Sequence, residues 1–195
     1  MPYLVVIGGP NGAGKSTVAP GLLADYLGIT TFVNADVIAR GLSGFDPDGA
    51  NIEAGKVMLR RLRELAGDGE DFAFETTLAS RSFAGWIAEL QAERGYRFLL
   101  NYVWSGSVET CLRRVEGRAR AGDHSVPPEV VHRRYSAGLR NFFELYRPIS
   151  DAWAVFDNSR AEIAVRPVAD GTGGRVERVY DPATWNRIRY QQLNH

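Results

Sequence analysis

The stretch Gly9-Pro10-Asn11-Gly12-Ala13-Gly14-Lys15-Ser16-Thr17 satisfies the pattern G-x-x-x-x-G-K-[ST], and its flanks restrict what the chain can fold into. A strand-like apolar run, Tyr3 to Ile7, precedes it and a helix-like run, Lys15 to Leu27, follows. Glycines let the backbone curl until successive N–H groups face inward, and the helix that opens there adds the positive end of its dipole. Such a loop cradles the phosphates of a nucleoside triphosphate. Lys15 is expected to reach the β- and γ-phosphates and the Ser16 hydroxyl to take a Mg2+ position. A glycine-rich turn without a ligand would not require this strand and helix context.

Apolar runs recur with helical segments between them: Tyr3 to Ile7, Thr31 to Val33, Phe72 to Phe74, Phe98 to Trp104 and Trp153 to Phe156. The intervening Asn51 to Leu65, Ser82 to Glu93, Val108 to Arg120 and Glu129 to Tyr146 read as helices. This alternation predicts an α/β fold of the P-loop NTPase kind, with a parallel five-stranded sheet and helices on both faces. Beyond Asn158, Ile163 to Val168 and Arg175 to Tyr180 flank a turn at Ala169 to Gly174, which predicts a β-hairpin. Asp181-Pro182 reads as the N-cap and first position of a terminal helix. At 195 residues the chain is expected to form one domain, a core over 1–159 with an appended hairpin and helix over 160–195. The formal net charge of zero gives no general pull toward nucleic acid or membrane. Cys111 is the only cysteine, which excludes an intrachain disulfide. Met1-Pro2-Tyr3 carries no basic leader and no apolar segment reaches membrane-spanning length, so a cytoplasmic protein is expected.

In open parallel sheets ligands bind beyond the carboxyl ends of the strands. The second run ends in Asn34-Ala35-Asp36 and the third in Glu75-Thr76-Thr77, which puts two carboxylates at that edge. Asp36 is a candidate base for a substrate hydroxyl attacking a γ-phosphate, and equally a candidate N-cap for Val37-Ile38-Ala39. Glu75 is a candidate for holding substrate hydroxyls or for positioning Mg2+ through water. Thr76 and Thr77 join it as substrate contacts, or cap the next helix. Arginines then cluster: Arg113, Arg114, Arg118 and Arg120 on one helical segment, Arg133, Arg134 and Arg140 on the next, with the loop Gly122 to Pro127 between. Arg114 and Arg118 share a face, whereas adjacent Arg133 and Arg134 diverge. This predicts a helical hairpin closing over phosphates as an arginine-rich lid. For any single arginine, a salt bridge to Glu109, Glu116 or Glu129 is the ordinary alternative. His124 reads as a loop residue.

The order of these parts, phosphate loop, Asn34-Ala35-Asp36, Phe72-Ala73-Phe74-Glu75-Thr76-Thr77, and the lid ending in Gly122 to Pro127 and Arg133-Arg134-Tyr135, resembles the zeta toxin family over nearly all of residues 3–159. That resemblance implies a kinase using ATP and Mg2+ to phosphorylate a hydroxyl of UDP-N-acetylglucosamine or a related nucleotide sugar. It implies Asp36 as catalytic base, Lys15 as the phosphate-binding lysine, Glu75 as a sugar contact, and lid residues among Arg118, Arg120, Arg133 and Arg134 on the γ-phosphate. It also implies an antitoxin protein that blocks the nucleotide site. The loop spelling Gly9-Pro10-Asn11-Gly12-Ala13-Gly14 is nearer to transporter-type ATPases, but Leu42-Ser43-Gly44-Phe45 lacks the rest of their signature and no strand ends in Asp-Glu. A kinase for a nucleotide, an antibiotic or a nucleic-acid end shares the same logic. A noncatalytic nucleotide-binding module would keep Lys15 without needing Asp36.

Overall fold

A computed structural model describes residues 1–23, 28–43, 49–121, 126–160 and 164–193. Five parallel strands, in the order β2 (Phe32–Val33), β3 (Phe72–Thr76), β1 (Tyr3–Gly8), β4 (Arg97–Trp104) and β5 (Ala152–Asp157), continue into antiparallel β6 (Arg166–Thr172) and β7 (Arg175–Val179). The expected five parallel strands are therefore present. The expected hairpin joins their sheet and extends it to seven strands.

Alternation along the strands sorts the core into two layers. Leu4 and Val6 of β1 belong to one layer, Val5 and Ile7 to the other, and all four are fully buried. Strands covered on both faces need apolar residues at every position, which explains the continuous runs. The larger layer adds Phe72, Phe74, Phe98 and Leu100 from the strands. It takes Met58 and Leu62 from α3 (Asn51–Asp68), Ile87 and Leu90 from α4 (Ser82–Arg94), and Trp185 and Ile188 from α8 (Pro182–Leu193). The smaller layer sets Ala19 of α1 (Lys15–Pro20), with Leu23 and Ile29, against Val5, Ile7, Ala73 and Val103. A third small cluster, Cys111, Val115, Val126, Val131 and Tyr135, joins α5 (Val108–Arg120) to α6 (Pro128–Asn141). Burial pushes the Cys111 thiol up, so it is held as an inert packing group.

Two boundaries differ from expectation. Ala169 to Thr172 continue β6, leaving Gly173-Gly174 as the turn; Ala169 pairs with Val179 and is buried, which outweighs the turn chemistry of Asp170 and Gly171. The helix expected from Glu129 to Tyr146 is α only as far as Asn141, then widens into a π-helical turn over Phe142–Tyr146 and resumes as α7 (Arg147–Ile149). The change falls where the helix is tied down. The buried Asn141 amide donates to the carbonyls of Leu78 (2.8 Å) and Ala79 (3.2 Å), and Tyr146 donates its hydroxyl to the carbonyl of Ser80. Leu78 itself sits at φ +58, a left-handed conformation costly for a branched side chain, yet it is fully buried. Asp181 caps α8 as expected, accepting from the Thr184 N–H at 3.0 Å. Among the described residues no helix is long and apolar enough to cross a membrane. The end of the first predicted helix at Leu27, the loop residues Gly44 to Asp48, Gly122 to Ser125 with His124, and the hairpin start at Ile163 lie outside the described residues. Replacing Asn141 with Ala strands the buried Leu78 carbonyl and the half-buried Ala79 carbonyl beside a strained turn, so urea unfolding should register a loss of about 1–3 kcal/mol.

Candidate functional site

The register of the parallel strands assembles the site at their carboxyl ends. Ile7 lies opposite Glu75, so the strand that feeds the glycine-rich loop runs beside the strand that ends in this carboxylate. Gly14 precedes α1 at φ +86, a conformation that favours glycine, and a Cβ there would lie 2.2 Å from Asn158 Nδ2 and displace that amide. Asn158 in turn donates to the Ala13 carbonyl at 2.7 Å, fastening the loop to the end of β5.

Glu75 gathers three donors. Its Oε1 lies 3.4 Å from Lys15 Nζ, and its Oε2 accepts from Ser16 Oγ at 2.8 Å and from Asn34 Nδ2 at 2.9 Å. Lys15 also donates to the Pro10 carbonyl at 3.0 Å and is buried. The Ser16 hydroxyl and Glu75 carboxylate are adjacent hard oxygen ligands beside a lysine, a donor set that suits Mg2+ held partly through water and partly by phosphate oxygens.

The capping alternative for Asp36 is answered by its neighbour. Asn34 is the N-cap of α2 (Ala35–Leu42): its Oδ1 accepts from the N–H groups of Asp36 (2.8 Å) and Val37 (3.3 Å). The Asp36 carboxylate is exposed in the first helical turn, facing the site instead of closing the helix. Thr76 and Thr77 do not cap α4 either. Their hydroxyls accept from the N–H groups of Leu78 (3.2 Å) and Ala79 (3.4 Å), holding the turn after β3.

The four candidate lid arginines divide into two pairs. Arg118 of α5 and Arg134 of α6 face the site, Arg134 donating to Asn11 Oδ1 at 3.1 Å. Burial lowers the pKa of Arg134, Arg133 adds to this, and Asp36 opposes it, so the carboxylate lies within electrostatic reach of the guanidinium. Arg120 instead pairs with Glu116 at 2.5 Å on the exposed face of α5, and Arg133 is exposed outside the cavity linings. The orientation of α6 follows from Gly138: a Cβ there would lie 2.3 Å from the Thr77 carbonyl, so the helix rests directly on the turn after β3. Arg114, named in the arginine cluster but not among the four γ-phosphate candidates, donates to the Asn158 carbonyl at 2.8 Å and reaches the Gly12 carbonyl at 3.4 Å. Its i, i+4 relation to Arg118 was the available signal. Asn158 had only its place at the end of the fifth run.

Two cavities meet here. One of about 460 Å³ runs over Gly12, Gly14, Ser16, Thr17, Arg118 and Asn158; the other, of about 290 Å³, lies among Asn34, Asn51, Thr76, Thr77, Phe83 and Arg134. Asn11, Lys15, Asp36 and Glu75 line both.

The protein family described as "AAA domain" matches residues 4–142. An uncharacterized protein of Haemophilus influenzae is 28% identical over 127 residues, 65% of this chain and 88% of that protein. Among solved structures, the complex of AvrRxo1-ORF1 and -ORF2 with ATP aligns at a TM-score of 0.72 and 20% identity over 99% of this chain. This chain spans 65% of that one. A structure from the PezAT toxin-antitoxin system of Streptococcus pneumoniae aligns at 0.62 and 17% identity, over 100% of this chain and 86% of that chain. These likenesses establish the α/β P-loop fold that the sequence and its zeta-toxin resemblance lead one to expect.

The two possible caps can be separated by stability. Asn34→Ala should cost about 0.5–2 kcal/mol in denaturant unfolding, whereas Asp36→Ala should stay within about 0.5 kcal/mol of the parent.

Proposed function

The chain belongs to the AAA-domain family, and we propose that it is a Mg-ATP-dependent kinase of zeta-toxin type that transfers the γ-phosphoryl group to a hydroxyl of a nucleotide sugar such as UDP-N-acetylglucosamine. The observation that carries this reading is the junction of two cavities at Lys15, Asp36 and Glu75. A hydrolase or a simple nucleotide-binding module needs one cavity; transfer between two bound molecules needs two that meet.

Residues Gly9, Pro10, Asn11, Gly12, Ala13, Gly14, Lys15, Ser16 and Thr17 hold the triphosphate in the larger cavity. The acceptor lies in the smaller one over Glu75, Thr76 and Thr77. Asp36, free of capping duty, orients the acceptor hydroxyl and takes its proton as the oxygen attacks phosphorus. Arg118 from α5, which lines the larger cavity, and Arg134 from α6, which lines the smaller, balance the negative charge on the transferred group. Arg114 braces the loop through the Gly12 and Asn158 carbonyls. Mg2+, at Ser16 and near Glu75, supplies charge neutralisation on the phosphates when bound. Residues 1–195 act as one unit in the cytoplasm, and an antitoxin covering the larger cavity is the protein partner that the likeness to a toxin-antitoxin component supports. The modest size of the acceptor cavity, about 290 Å³, favours a second reading: a kinase for a smaller hydroxyl compound.

Incubation with Mg-ATP and a panel of nucleotide sugars and smaller alcohols, read by mass spectrometry, tests both readings: an added phosphoryl group identifies the acceptor, and its absence across the panel counts against them. Lys15→Ala should lose nucleotide binding and turnover together. Asp36→Asn should bind ATP normally while kcat falls by about 10²–10⁴. Arg134→Ala should cost about 10³ or more in kcat, whereas Arg120→Ala, which disturbs only an exposed ion pair, should stay within about twofold.

A further inference from the structure

The last helix lies beyond the residues that the family matches, and its contacts give it a task. α8 is anchored by Trp185, stacked on Trp153 with ring centroids 5.8 Å apart, and by the buried Ile188. Arg187 lies over the Trp104 ring at 5.2 Å. From this footing Gln191 reaches three separate elements. Its Oε1 accepts from Trp104 Nε1 at the end of β4 (2.9 Å) and from the Tyr135 hydroxyl of α6 (3.0 Å). Its Nε2 donates to the Gly106 carbonyl at 3.0 Å, in the turn that leads into Ser107, the N-cap of α5. One side-chain amide therefore ties together the start of α5, the middle of α6 and the strand between the two cores. Trp104 and Tyr135 are both buried, and Tyr135 is the residue next to Arg134. A primary amide combines two acceptor lone pairs with two donor hydrogens, so neither a carboxylate nor a hydrocarbon reproduces all three contacts.

We propose that Gln191 is a positioning residue that sets α5 and α6 against the phosphate loop so that Arg118 and Arg134 meet the γ-phosphate. This rests on the phosphotransferase reading above. Lys15 and Ser16 are held by Glu75 and the Pro10 carbonyl, so loosening the amide should leave α- and β-phosphate binding intact and weaken only what the lid contributes.

Calorimetric titration of Mg-ATP and Mg-ADP separates these terms, because the ratio of the two affinities reads the γ-phosphate contact. Gln191→Ala should lower the preference for ATP by about tenfold, the loss expected for buried hydrogen bonds, and leave ADP affinity within about twofold. In a background lacking both arginines, Arg118→Ala with Arg134→Ala, the same change should cost less than about threefold, since it acts through those two contacts. Equal losses for ADP and ATP, or a full additive loss in the combined variant, would overturn the proposal. If Gln191→Ala does not fold, Tyr135→Phe removes the bond from α6 to Gln191 while the amide keeps its contacts to Trp104 and Gly106; it should lower the ATP preference by about threefold, and an unchanged preference would overturn the proposal. A parent protein that binds ADP and ATP equally rejects the positioning role while nucleotide binding stands, whereas one that binds neither rejects the phosphotransferase reading itself.

Discussion

An ammonium and a carboxylate stand 3.4 Å apart at the end of the central strands, Lys15 at 5% and Glu75 at 12% exposure. Withdrawing two charges from water costs several kcal/mol, and their attraction offsets this only when the remaining polar atoms are also satisfied. Here they are: the Pro10 carbonyl accepts from Lys15, and Ser16 and Asn34 donate to Glu75. Much follows from that one pair. β1 and β3 must run in the register that sets Ile7 opposite Glu75, because a slip of one residue would turn the carboxylate to the other face. Asn34 must close α2 with its carbonyl oxygen while its amide nitrogen serves Glu75, which makes the cap and the ion pair parts of one network. The loop, the sheet register and the start of α2 are thereby mutually dependent.

The parts of the fold that were legible in the sequence are those governed by short-range rules. Continuous apolar runs identify strands covered on both sides, and a glycine-rich loop between a strand and a helix has few alternatives. Site details were legible only where one local rule acted alone. Asp36 and Asn34 are both good caps two residues apart, and the choice between them depends on Glu75, 41 residues from Asn34 in sequence. The lid shows the same limit: helical spacing pairs Arg114 with Arg118, but which of Arg133 and Arg134 turns inward is set by Gly138 lying on the Thr77 carbonyl. The π-helical turn after Asn141 has no sequence signature of its own. It answers tertiary bonds to Leu78, Ala79 and Ser80.

Strain and function share an address here. Leu78, the left-handed residue, directly follows the threonines that line the smaller cavity, and α6 holds it from above through Asn141 while carrying Arg134 on the same helix. The turn that shapes one cavity is thus fastened to the helix that closes it. A folded state able to hold a branched residue at φ +58 has contacts enough around it to keep that turn in one place.

The hairpin that lengthens the sheet also decides what its rim offers to other chains. Without it, the rim would be β5, whose Trp153 and Val155 are buried and whose backbone would present an apolar, parallel-sheet edge. With it, the rim is β7, five exposed residues carrying Arg175, Glu177 and Arg178, with irregular pairing where Asp170 gives way to Gly171. The opposite rim is β2, only two residues long. Short, charged or kinked margins are poor templates for a foreign strand. The tail thus works as a fender along an otherwise apolar edge.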